Sequence, residues 1–311
     1  MNERMPDTGE NIMKLARFVA QEVTKDKKIP HFEREAVQEI IEEARRRANK
    51  SRYLTLRLRD LGGLIRAAGD IAVAENALIV SKKHVLAAYD ISRTLEHQIA
   101  DKEIEDRKSY EIILTKGVRI GRVNCLVLIS SVSAEEQVSG IVLPIETQAS
   151  SAADHSTVVV SGNVGQAMRE AAQNVIAVLE MFFGSKKKYA YYVQFLTAYK
   201  IKGNDTATLA IAAALVSTLQ KIPVKQDVAI TGGLSVRGDA LPVDNISEKV
   251  HAAVEGGMKK ILVPAANLAD IPMDKELLSK VKIVPVVCLY DVLHEALDWK
   301  GKESQLKKLK K

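Results

Sequence analysis

A helical bundle followed by a mixed α/β layer, α+β passing into α/β, is the fold class this sequence predicts, and three observations predict it. Residues 8 to about 108 carry apolar side chains at helical spacing and show no convincing strand. From Ile112 onward, β-branched or aromatic runs bounded by Gly, Ser and Asn take over. Beyond Thr206, strands alternate with helices, the order that builds a mostly parallel sheet.

In the bundle, Asp7 and Thr8 cap a first helix in which Ile12, Leu15, Val19 and Val23 share a face. Pro30 closes the connector. A second helix covers about 33–49, with Ala36, Val37, Ile40, Ile41 and Ala44 on one side. A third covers about 58–75, and Ser81 caps a fourth that reaches the charged linker 101–108. In the α/β part, strands are expected at Val123–Ile129, Ile141–Thr147, Thr157–Val160 and Ala190–Thr197, with an amphipathic helix over Gly165–Phe183. Then follow a helix (206–220), strands (about 227–231 and 234–237), a helix (245–255) and a strand (260–263). A helix (about 273–280), a strand (282–287) and a helix (289–298) complete the order. The hairpin-like early strands make the layer mixed. Ser133–Ser139 and Ser150–Ser156 read as serine-rich loops. The domains are therefore 8–108, 112–300 and a basic tail, 301–311.

At 311 residues the chain is long enough for two cores, and 47% hydrophobic with 27% charged residues is ordinary for a globular protein. The net charge of +6 is spread out, and its densest cluster is the tail. With only 5% aromatics and no basic–aromatic alternation, nucleic-acid binding is not expected. Cys125 and Cys288 sit in apolar runs, reading as small buried hydrophobes of a reducing compartment. The six histidines form no metal-ligand spacing, so no metal site is expected. No apolar run approaches the roughly 18–20 residues that span a bilayer, and the polar start reads as no signal peptide. The expected location is cytoplasmic.

Two stretches carry chemistry. Gly203-Asn204-Asp205-Thr206-Ala207 places a hydroxyl at the start of an alanine-rich helix, where unpaired N–H groups point outward. The plain reading makes Asp205 and Thr206 N-cap residues, worth about 1 kcal/mol. The functional reading makes Thr206 a nucleophile and the amides from Asp205 to Ala207 an oxyanion site, each donor worth about 3–4 kcal/mol. Further on, Thr231 to Asp239 leads through Leu241-Pro242-Val243 to Lys249, a lysine on an otherwise apolar helix. Its plain reading is a surface amine paired with Glu248 or Glu255. As a base near neutral pH it must be buried, which lowers its pKa. A hydroxyl beside such an amine suffices for acyl transfer without histidine.

The segment from Val118 to about Asp270 resembles the proteolytic domain of the Lon protease family, particularly its archaeal, membrane-associated branch. The resemblance rests on Gly121-Arg122-Val123-Asn124, Gly140 through Ile145, Ile222 through Ala229, Thr231 through Pro242, Lys249, and Lys259 through Pro264. Ile29-Pro30-His31-Phe32 and Leu56 through Gly63 resemble the helical lid of that family's AAA+ ATPase module. The resemblance implies a lid-like bundle, a Lon-type proteolytic domain, and a vestigial nucleotide-sensing role at Arg59, whose plain reading is a surface arginine. It makes Lys249 the base and puts Thr206 where the family has serine. Asn204 stands in place of glycine and Gly203 in place of glutamate, so Asn204 and Asp205 shape the site.

The expected function is a weak or conditional endopeptidase acting on unfolded protein or peptides through a Thr206–Lys249 dyad. The alternative is a catalytically inactive assembly or substrate-binding component. A third reading makes the chain part of a larger protease whose ATPase half is on a separate polypeptide or was lost at an upstream boundary. The resemblance further implies a homo-oligomeric ring, hexameric in the family, and a separate AAA+ ATPase as partner. ATP and Mg would act through that ATPase core, whose Gly-x4-Gly-Lys-Ser/Thr loop is missing here, so no cofactor is expected on this chain alone. Membrane association is expected only peripherally, through a partner.

Overall fold

The computed structural model describes residues 3–48, 50–91, 102, 105, 112–130, 138–183, 188–196, 201–202, 206–271 and 279–302, and the chain divides into two compact units, Met1–Leu95 and Glu96–Lys311.

Among its described residues the first unit holds four helices, Gly9–Asp26, Arg34–Ala48, Leu58–Ala74 and Lys82–Ile91. The Thr8 hydroxyl accepts from Asn11 N at 3.3 Å, as its cap position requires. Leu15, Val19, Ile40, Ala44, Leu61, Leu64, Ile65 and Val85 close the core, the faces that helical spacing selects. Contrary to the expectation of no strand here, β1 (Arg4–Pro6) pairs antiparallel with β3 (Tyr53–Thr55), and β2 (His31–Phe32) pairs parallel with β4 (Ile79–Val80). Ladders of two or three residues pair the helix connectors and are too short to show a period of two. Of the 101–108 linker only Lys102 and Glu105 are described, both helical; the rest lies outside the described residues.

In the second unit β5 (Val118–Arg119) precedes the long hairpin β6 (Arg122–Ser130) and β7 (Val138–Ala152). Then come β8 (Thr157–Ser161), the helix Gln166–Phe183, β9 (Lys188–Phe195), β10 (Ile201–Lys202) and the helix Thr208–Gln220. Two short strands, β11 (Val224–Lys225) and β12 (Val228–Ile230), lead to the hairpin β13 (Gly233–Leu234) and β14 (Ala240–Leu241). The helix Ile246–Glu255, β15 (Lys260–Pro264), a 3-10 turn Ala265–Asp270, β16 (Lys282–Val286) and the helix Leu289–Ala296 follow. An eight-stranded mixed sheet runs β16-β15-β12-β6-β7-β9-β8, with β10 added on β6. Its β6-β12-β15-β16 side is parallel, and β6-β7-β9 is antiparallel.

β7 is longer than its apolar run. Ser150 to Ala152, read from sequence as a loop, pair with Ala190 to Lys188 of β9, and Ser139 pairs with Ile129. Edge residues of a long hairpin are held by backbone pairing rather than by burial, so polar side chains there are no obstacle. Residues 133–137 of the other serine-rich segment, most of the 273–280 helix and residues 303–311 of the tail lie outside the described residues. Among the described residues no helix is long and apolar enough to cross a membrane.

The Thr208–Gln220 helix is the centre of this unit. Every residue from Thr208 to Ser217 is buried, and four of them are alanines that let the helix approach the sheet and its helical neighbours closely. It packs against β6 and β7 and against the Gln166–Phe183 and Leu289–Ala296 helices.

Candidate active site

Thr206 is buried two residues before the central helix begins. Its carbonyl accepts from Gly232 N at 3.0 Å and from the Thr231 hydroxyl at 3.4 Å, which ties it to the loop leaving β12. Leu209 N, a first-turn donor of the helix, is in turn taken by Gly232 O at 3.2 Å. Gly232 has φ 141°, and a Cβ there would sit 2.5 Å from Leu209 Cδ1 and 2.9 Å from Pro264 Cγ, so glycine is required where these backbones converge. The expected capping role fails for Thr206. The N-cap is Ala207, with no side-chain cap, and the enclosed Thr206 Oγ1 has no hydrogen-bond partner among the described residues. The hydroxyl that does serve the backbone is Thr208, which accepts from Leu234 N at 2.7 Å. A buried hydroxyl left unsatisfied costs about 1–3 kcal/mol, and a catalytic role is one of the reasons such a cost is kept.

Lys249 is 0% exposed, which overturns its reading as a surface lysine. It sits in the first turn of the Ile246–Glu255 helix, which packs on β6 and β7. Two glycines allow that contact. A Cβ on Gly140 of β7 would lie 2.1 Å from Glu248 O, and one on Gly256 would lie 2.6 Å from Val142 Cγ2. Backbone is thus pressed on backbone beside Lys249. Its Nζ, like Thr206 Oγ1, is enclosed and has no hydrogen-bond partner among the described residues. Burial lowers the amine to about 8, opposed by the nearby Cys125 and Asp244, which favour its charged form.

Cys125 on β6 links the two positions. It pairs with Ile230 of β12, whose next two residues hold the Thr206 carbonyl, and it is electrostatically coupled to Lys249. Burial pushes its thiol up to about 12, and the Lys249 charge works against that rise. Cys288 differs from its expected burial: it is half-exposed and begins the Leu289–Ala296 helix, its N–H donating to Asp291 Oδ2 at 3.3 Å. Asn204 and Asp205 lie outside the described residues, whereas Ala207 is buried directly after Thr206. Arg59 is exposed on the Leu58–Ala74 helix. No metal-holding group of three or more His, Cys, Asp or Glu occurs among the described residues.

Sequence reasoning missed the coupling of Lys249 to Cys125 and Asp244, which no local pattern announces. It also gave Gly140 no structural role, although an isolated glycine opening a strand is a signal of close backbone approach.

Residues 120–299 match the family described as "Lon protease (S16) C-terminal proteolytic domain", and residues 31–93 match "Archaeal LonB, AAA+ ATPase LID domain". The Archaeal Lon protease of Methanothermobacter thermautotrophicus is 47% identical, covering 100% of this chain and 48% of that protein. The Archaeal Lon protease of Pyrococcus abyssi is 47% identical over 98% of this chain and 30% of its own length. That of Archaeoglobus fulgidus is 45% identical over 98% of this chain and 49% of its own length. The chain thus spans about half or less of the length of these relatives.

Proposed function

Because this chain belongs to the Lon protease family, we propose that it is an endopeptidase for unfolded protein or peptide segments, with Thr206 as nucleophile and Lys249 as base. One observation carries the reading: Thr206 Oγ1 and Lys249 Nζ are the hydroxyl and the amine among the five enclosed side-chain polar atoms (with Arg122 Nε, Asn124 Oδ1 and Gln226 Oε1) that have no hydrogen-bond partner among the described residues. An amine held to about 8 is neutral often enough near neutral pH to accept a proton. Thr206 Oγ1 attacks the scissile carbonyl carbon as its proton passes to Lys249 Nζ. The resulting ammonium then protonates the departing amine nitrogen, leaving an ester on Thr206. Water attacks that ester, again giving a proton to Lys249; as the bond between the carbonyl carbon and Thr206 Oγ1 breaks, the ammonium passes that proton to Oγ1, which releases a carboxylic acid and restores both the hydroxyl and the neutral amine. Amides around Asp205–Ala207 are the proposed oxyanion donors.

The β-branched nucleophile restrains χ1 and adds a methyl group, and a misplacement of about 1 Å costs on the order of 10²-fold. Thr206→Ser should therefore raise kcat on a fluorogenic peptide or unfolded casein by about tenfold or more. Thr206→Ala should reduce turnover to background. Equal, near-zero turnover by the native chain, Thr206→Ser and Lys249→Ala would sink the enzyme reading and leave the inactive assembly or substrate-binding component.

The lid match supports assembly as a homo-oligomeric ring and coupling to an AAA+ ATPase core, on a separate chain or in a longer protein. ATP with Mg would supply the free energy for unfolding substrates there. Arg59, an exposed guanidinium that forms no ion pair among the described residues, is the group this chain would turn toward the phosphates.

A further inference from the structure

We propose that Asn267 is a positioning residue of the dyad: its side chain clamps the turn that sets where Lys249 stands relative to Thr206. The proposal deepens the peptidase reading and rests on it. Asn267 is buried in the 3-10 turn after β15. Its Oδ1 accepts from Val243 N at 2.9 Å and its Nδ2 donates to Val243 O at 2.9 Å, the pairing that a neighbouring strand would otherwise offer. Val243 lies in the Pro242–Asn245 turn directly before the Lys249 helix. The entry to that helix has no side-chain cap of its own, and Asn245 holds φ 51°. Three residues beyond Asn267, Asp270 O accepts from the Ser247 hydroxyl at 3.3 Å, a second tether on the first turn of the helix.

The same stretch of chain also reaches the nucleophile. Leu262 O accepts from Thr231 N at 3.1 Å, and Pro264 packs at Gly232, the two residues that hold the Thr206 carbonyl. Leu262 to Asp270 is therefore one continuous brace with one end on the Thr206 loop and the other on the Lys249 helix. At the lysine end Asn267 holds the turn through two hydrogen bonds, and the Ser247 hydroxyl adds the second tether. The titratable groups coupled to Lys249 are Cys125 from β6 and Asp244 from the clamped turn, so loosening the turn changes both enclosure and charge at the amine.

The test is the titration of the Lys249 amine, followed by 13C NMR of labelled Lys Cε in the full chain and assigned by its loss in Lys249→Met. Peptidase kcat and KM are measured beside it. In Asn267→Ala the Lys249 midpoint should rise by about one unit or more, and kcat should fall on the order of 10- to 100-fold with KM within about twofold. Ser247→Ala, which removes only the second tether and is the milder change, should move both quantities in the same direction by a smaller amount. An unchanged Lys249 midpoint in every variant that folds would overturn the proposal. So would a loss of activity that merely follows a falling melting temperature. A native chain with no peptidase activity would instead sink the dyad reading, and the NMR titration would still decide the clamp.

Discussion

Lys249→Met should yield a protein that is more stable than the native chain at neutral pH and has almost no peptidase activity. The activity loss follows from removing the only proposed base, a role worth on the order of 10²–10⁴ in rate. The stability gain follows from linkage. In the unfolded chain the amine titrates near its ordinary 10.5; folded, burial holds it to about 8. As pH falls from about 10.5 toward 8, the unfolded chain takes up the proton first, so folding stability declines across that window. Below about 8 both states are charged and the decline, about 3 kcal/mol at 1.36 kcal/mol per unit, is complete. Methionine fits nearly the same volume and has no such penalty. Chemical denaturation at pH 7 and pH 10 is the check: the variant should lead at pH 7 and lose most of its lead at pH 10. A variant less stable at pH 7 would contradict the buried, unpartnered amine. In the native chain the same neutral amine should make kcat rise with pH through about 8.

Gly140→Ala is expected to be nearly as damaging without touching either reacting group. Its Cβ would lie 2.1 Å from Glu248 O, and backbone cannot turn aside as a side chain can. The Ile246–Glu255 helix must then lift from β7 by about 1 Å, and Lys249 moves with it. A displacement of that size costs on the order of 10²-fold in rate, and overpacking costs about 1–3 kcal/mol. A folded variant with reduced kcat and a lower melting temperature is the expected outcome. Full activity in Gly140→Ala would mean that the register of this helix does not matter to the chemistry.

The fold was largely legible because its elements bury continuous or periodic apolar faces: Val123–Ile129, Ile141–Thr147 and the alanine-rich helix appear where their patterns put them. What escaped was held by backbone alone. The ladders at His31–Phe32 and Tyr53–Thr55, the Ser150–Ala152 end of β7 and the Ala265–Asp270 turn have no side-chain signature. The candidate residues could be named from sequence, but their burial and partners could not. Thr206 and Lys249 stand in sequence contexts where a cap and a surface amine are the commoner outcomes. Only packing shows that Ala207 takes the cap position and that glycine contacts enclose the lysine. Asn267 could not be found from sequence, since its two bonds reach Val243 across 24 residues.

The helix that follows Thr206 has ten successive residues with no face toward solvent. Its amides can meet deuterium only when the whole unit opens, so they should be among the slowest to exchange. The proposed nucleophile is mounted beside it, out of reach of local fraying: on heating, any peptidase activity and tertiary structure should disappear in a single step.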